Sequence, residues 1–243
     1  MNRLYIILAG LFVILAFACR ESNLEGSMQP TDGYPMIDDH EVLGDILKSK
    51  GLDTVDFRKG EVIADIGAGN GYLEAIFSVY TDSLTFYIQD IDTAVCNQRT
   101  VDEVFAFYEE VRGSPFTNSY FVVNGTDTKT NLPYDTFDRI MMLWTYQYLT
   151  EPEAFILDVR KTLKEGGLLY CINPDVDYDP ESPQTKEYGW NQSPVEMQIT
   201  DIIDCGFELI RITRNYESGQ RPYVILFKKS TGKGNGINRA ERR

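Results

Sequence analysis

Glycines stand at positions 67, 69 and 71 in the stretch Glu61 to Tyr72, EVIADIGAGNGY, and Asp65 precedes the first of them by two residues. A backbone without Cβ can turn tightly and lie against a ligand. A helix that starts behind such a turn offers unpaired N–H groups to a carboxylate or phosphate. The dinucleotide fingerprint GxGxxG sets its third glycine five residues after the first. Here the third comes four after, and Tyr72 fills the fifth place. Asp65 is a carboxylate suited to an ammonium rather than to a pyrophosphate, so the pattern points to a ligand with an amino-acid part. A tight turn built for packing would explain a lone glycine triplet. It gives no reason for a second carboxylate, yet the next strand pattern ends YIQDID, with Asp90 at its tip. A ribose diol needs such an acceptor, and Asp92 then serves as a cap for the following helix.

The elements that must position these residues follow from hydrophobic periodicity. Val42, Leu43, Ile46 and Leu47 recur at helical spacing within Asp38 to Lys50, behind Asp38 and Asp39 as caps. Strands are expected at 62–66, 85–89, 120–123, 137–144 and 168–173, with helices at 71–80, within 93–111, at 151–163 and near 194–205. Short apolar strands alternating with helices specify a parallel sheet covered on both faces. Two further strand patterns, 207–214 and 223–228, flank the turn-like Glu217-Ser218-Gly219-Gln220. The expected fold class is α/β: a Rossmann-like, doubly wound, mostly parallel sheet ending in an antiparallel hairpin.

Taken together, these segments resemble the class I S-adenosylmethionine-dependent methyltransferases over about Asp38 to Lys229. IADIGAGNGYL is similar to the family's first motif, YIQDID to its ribose-binding second, and FVVNGTDTKTNLP to its adenine-side loop. YDTFDRIMMLWTYQYLTEPEAFILDVRKTLKEGGLLYCINP resembles the fourth strand, its helix and the turn into the fifth. The resemblance implies S-adenosylmethionine as cofactor. It implies that Asp65, Gly67, Ala68, Gly69 and Gly71 hold the methionine part, Asp90 the ribose, Thr126 and Asp127 the adenine border, and that Trp144 lies near the methyl donor. Thr126 and Asp127 also suit a simple side-chain-capped turn, and Trp144 also suits a core.

The chain departs from the family where many relatives carry histidines just after the fourth strand, for it has Thr145-Tyr146-Gln147-Tyr148 there. The Asn/Asp-Pro-Pro-aromatic motif of nucleobase amine methylation is also missing at that place. Methyl transfer from a sulfonium needs mainly an acceptor lone pair held in line in a dry site. If a base is required, His40, Tyr146 and Tyr148 are the candidates, each of which also reads as a packing or surface residue. His40 is the only histidine, so no metal site is expected.

The N-terminus, MNRLYIILAGLFVILAFAC, has Arg3, an apolar run from Leu4 to Phe17 and small residues before Cys19, the pattern of an export signal. It resembles a bacterial lipoprotein signal, which implies a lipid on Cys19, although Ala16-Phe17-Ala18 also satisfies ordinary cleavage. The expected organisation is an export signal at 1–19, a linker at 20–36, the methyltransferase-like domain at 37–229 and a disordered basic tail at 230–243. Cys96, Cys171 and Cys205 would then be an odd set of buried thiols rather than a disulfide framework. The net charge is −14 despite six basic residues after position 227, and so acidic a body repels nucleic acid. The expected partner is a small-molecule or envelope acceptor, with the membrane reached through the Cys19 lipid. A non-catalytic exported module that keeps the fold is the alternative, and a dehydrogenase that binds NADH is a weaker third.

Overall fold

The structure, a computed structural model, describes residues 36–173, 195–214 and 223–231. The expected signal, most of the linker, the 217–220 turn and nearly all of the basic tail lie outside these residues. The chain opens with α1 (His40–Ser49), then runs β1 (Val62–Ile66), α2 (Tyr72–Tyr80), β2 (Thr85–Asp90), α3 (Gln98–Arg112) and β3 (Ser119–Asn124). After these come β4 (Phe137–Leu143), α4 (Pro152–Thr162), β5 (Leu163–Asn173), α5 (Val195–Asp204), β6 (Phe207–Arg214) and β7 (Tyr223–Lys229). Asp39 caps α1, its carboxylate accepting from the N–H groups of Glu41 and Val42. Among the described residues no helix is long and apolar enough to cross a membrane.

The seven strands form one sheet in the order β3-β2-β1-β4-β5-β7-β6. β7 pairs antiparallel with both β5 and β6, while the other pairings are parallel. The expected terminal hairpin is therefore present, and its second strand inserts between β5 and β6. Strand β5 starts earlier than the hydrophobic pattern suggests, because Leu163 already pairs with Phe137 before a register shift leads to the Arg139–Leu168 pairing.

Side chains alternate across the sheet with the period of two that an extended strand imposes. Ile63, Met141 and Leu226 face α1, α2 and α3. Their neighbours Ala64, Ile140 and Phe227 face α4 and α5. Alternation gives Asp65 the same face as Ile63, the α2 side. From β1 the chain winds outward through β2 to β3, then returns to place β4 on the other flank of β1. The strand order reverses between β1 and β4, and ligands bind at such reversals beyond the carboxyl ends of the strands.

Candidate cofactor site

At the carboxyl end of β1 the glycine loop is fastened to the neighbouring strand. The N–H groups of Gly67 and Ala68 both donate to the Gln89 carbonyl, at 2.8 and 3.0 Å. Gly69 N–H donates to Asp90 Oδ2 at 2.9 Å, and Asp92 N–H to Asp90 Oδ1 at 2.9 Å. Asp90 thus braces the loop from behind. Gly67 has φ 77° and lies so close to the Thr145 hydroxyl that a Cβ there would collide with it. Gly71, φ 78°, precedes the first turn of α2 and would strike Ile88 with a Cβ. The spacing of these glycines therefore reflects contacts with β2 and the loop after β4 as well as ligand approach.

A narrow cleft of about 500 Å³, part of it open to solvent, lies against this loop. Asp65, Gly67, Ala68, Tyr72, Leu73 and Trp144 line it, together with Lys50 from the end of α1. Trp144 adopts φ 54°, a left-handed conformation unusual for a bulky residue. Its backbone N–H donates to the Ile172 carbonyl at 2.7 Å, which fixes the chain as it leaves β4. Such strained positions cluster at ligand sites. Lys50 Nζ rests 4.1 Å from the centroid of the Trp144 ring, and burial pulls that ammonium below its usual range.

Asp65 is 2% exposed and its Oδ1 has no hydrogen-bond partner. Glu74, on α2, is wholly buried and neither carboxylate oxygen has a donor. Asp65 is raised well above the usual carboxylate range by burial first, then by the charge of Glu74 and of Asp90; burial raises Glu74 as well. Buried polar atoms in folded proteins are almost always satisfied. An unpaired carboxyl at the floor of a cleft is therefore an unfilled demand for a donor, and a ligand ammonium meets it.

Of the sequence-predicted residues, the structure brings Asp65, Gly67, Ala68 and Trp144 onto the cleft, with Gly69, Gly71 and Asp90 immediately behind. Thr126 and Asp127 do not line it. They are exposed in a turn where Thr126 pairs with Lys129 and its hydroxyl accepts from the Lys129 N–H at 3.1 Å. The base candidates are elsewhere: His40 bonds the Val111 carbonyl at 3.0 Å, and Tyr146 is buried with its hydroxyl on Asp201. Tyr148 is 57% exposed. Sequence reasoning missed Glu74, Lys50 and Thr145. Glu74 carried a readable signal, since a helix position three after Gly71 that falls on the buried face should be apolar.

Residues 64–171 match the methyltransferase domain family. The match supports a class I methyltransferase domain. It implies S-adenosylmethionine as the cofactor. Among solved structures, the chain is similar to a SAM-dependent methyltransferase from Aquifex aeolicus, with 18% identity over 79% of this chain and 98% of that one and a TM-score of 0.57. It is also similar to a SAM-dependent methyltransferase from Methanosarcina mazei, with 16% identity, 72% and 95% coverage and a TM-score of 0.54. The cyclase SpnF is as close in shape, at 13% identity, 79% and 81% coverage and a TM-score of 0.56. At such identities the likeness is one of fold, which hosts more than one chemistry. Comparison with curated proteins finds no match.

Proposed function

We propose that the protein is an exported S-adenosylmethionine-dependent methyltransferase that acts on a small-molecule or cell-envelope acceptor. The observation that carries the reading is the buried, unpartnered Asp65 Oδ1 in a cleft beside the glycine loop. In this reading Asp65 receives the ammonium, and the loop backbone at Gly67, Ala68 and Gly69 takes the rest of the methionine part. Gly71 opens α2 toward it. Asp90, whose oxygens already hold Gly69 and Asp92, retains lone pairs for a ribose hydroxyl. The adenine would extend past the cleft toward the exposed turn of Thr126 and Asp127, and Trp144 stands by the reacting end. When bound, the cofactor supplies an activated methyl group. The chain's own contribution is to orient and to exclude water, and among the described residues the ionisable groups that line the cleft are Asp65, Lys50 and Tyr72.

The apolar run before Cys19 supports export, with a lipid on Cys19 as the membrane attachment. Mass spectrometry of the mature N-terminus checks this: a diacylglyceryl-modified Cys19 is expected, and an intact Met1 overturns it. For the cofactor, protein lacking residues 1–19 should bind S-adenosylmethionine by calorimetry. Asp90→Ala should weaken that binding about tenfold, through the loss of one charged acceptor and of the loop brace. Absence of binding by the unaltered protein removes the reading. Binding without turnover on any envelope fraction would favour the alternative, a non-catalytic exported module on the same fold.

A further inference from the structure

The pair Asp65 and Glu74 exceeds what holding an ammonium requires. One carboxylate suffices for that, yet a second carboxyl is buried behind it. Glu74 is wholly excluded from solvent, and both its oxygens lack a donor. Asp65 approaches it from β1 on the same face of the sheet, closely enough for the two side chains to share a proton. The groups that surround the pair do not neutralise it. Asp90 and Asp92, at and just beyond the end of β2, add negative charge, and the Cys96 thiol is pushed up to about 12 by burial and by Asp90 and Glu74. Tyr72 is a cleft wall, and Lys50, the one cation on the cleft among the described residues, is engaged with the Trp144 ring. Two carboxyls held this way cannot both be ionised at modest cost, so the empty site retains a proton between them.

We propose that Glu74 is a positioning residue for the ligand: acting through Asp65, it makes the floor of the cleft a two-carboxyl device that couples cation binding to proton release. The proposal rests on the cofactor reading above. When an ammonium docks on Asp65 Oδ1, the neighbouring positive charge favours the carboxylate. The Asp65 O–H bond breaks, its proton leaves to solvent, and an N–H···O contact forms in its place. By linkage, affinity then rises with pH by up to about tenfold per unit, between the value at which the filled site loses the proton and the higher value at which the empty site does. An isolated aspartate of ordinary acidity gives no slope above about pH 5.

The test is calorimetry of S-adenosylmethionine binding to the full chain in mild detergent, from about pH 5.5 to 7.0, in buffers of different ionisation enthalpy. That window lies below the titration of the ligand's own amine. The unaltered protein should bind more tightly as pH rises and should release up to one proton. Methylthioadenosine, which has the nucleoside but no ammonium, should show neither effect. In Glu74→Gln the like charge is gone and an amide N–H can hold the Asp65 carboxylate, so the slope should move down by about one pH unit or more. As a check that needs no variant, the infrared band of a protonated carboxyl should be present in the free protein near pH 6.5 and fall when S-adenosylmethionine is added. A flat pH profile in the unaltered protein, or an unshifted slope in Glu74→Gln, overturns the role of Glu74 and leaves the cofactor reading standing. No S-adenosylmethionine binding at any pH overturns both.

Discussion

The two ends of β1 treat buried charge in opposite ways. At the amino end, Glu61 receives Arg139 through two contacts, Nε at 2.7 Å and Nη2 at 3.1 Å, and Arg139 also donates to the Tyr170 hydroxyl at 2.8 Å. Beside it Asp138 takes both the Lys164 ammonium and the Val62 N–H. At the carboxyl end, four residues on, Asp65 and Glu74 are more deeply buried and have no cation. Both ends carry acids, and only one end is complete. The satisfied end is where the fold holds itself together; the unsatisfied end is where a ligand is required to finish it.

Breaking the complete end should have the larger cost. Arg139→Met strands Glu61 and should destabilise the protein by about 3 kcal/mol in denaturant unfolding, with cofactor affinity unchanged once the protein is folded. Asp65→Asn should do the reverse. It should weaken S-adenosylmethionine binding by about 2 kcal/mol, roughly thirtyfold, in calorimetry, while stability in urea stays level or rises, because a buried unpaired acid has been removed.

The two ends should also differ in sign with pH. Burial pushes Asp138 up, but Lys164 and the Val62 N–H outweigh it and hold the group below the usual carboxylate range. Its stabilisation is present above the unfolded value of about 4 and is lost as pH falls through the lowered folded value. Asp65 and Glu74 lie above their unfolded values, so they penalise the native state increasingly as pH rises from about 4 through the raised range. Urea midpoints should therefore show a decline as pH rises above about 4 that Asp65→Asn flattens, and an acid loss below about pH 4 that Asp138→Asn flattens. The smallest effect belongs to Lys50. Its ammonium occupies the Trp144 face, a place a cationic ligand would favour, so Lys50→Met should tighten S-adenosylmethionine binding by about 1 kcal/mol, near fivefold.

The same contrast between local and distant contacts governs what could be read from the residues alone. Strand β1 and the hairpin strand β6 were legible to their end residues, since apolar runs bounded by turn residues state their own limits. The glycine loop was legible because its conformation is local, with Gly67, Gly69 and Gly71 all at positive φ. Thr145 was not, because the reason Gly67 must be glycine lies on the loop after β4, 78 residues away in the chain. Lys50 looked like the polar end of an amphipathic helix, and only its placement over the Trp144 ring, 94 residues away in the chain, turns it into a cleft wall. Thr126 and Asp127 fit the turn reading as readily as the ligand one, because such residues satisfy their own backbone in either setting.

The conformation of Trp144 gives the cleft an optical readout. The chain has two tryptophans, and the other, Trp190, lies outside the described residues. In a Trp190→Phe variant the remaining emission would come from an indole whose face carries the Lys50 ammonium at 4.1 Å. Any ligand that displaces that ammonium changes the quenching and polarity around the ring. Occupancy of the cleft would then register as a shift in intrinsic fluorescence, without a label and whatever molecule accepts the methyl group.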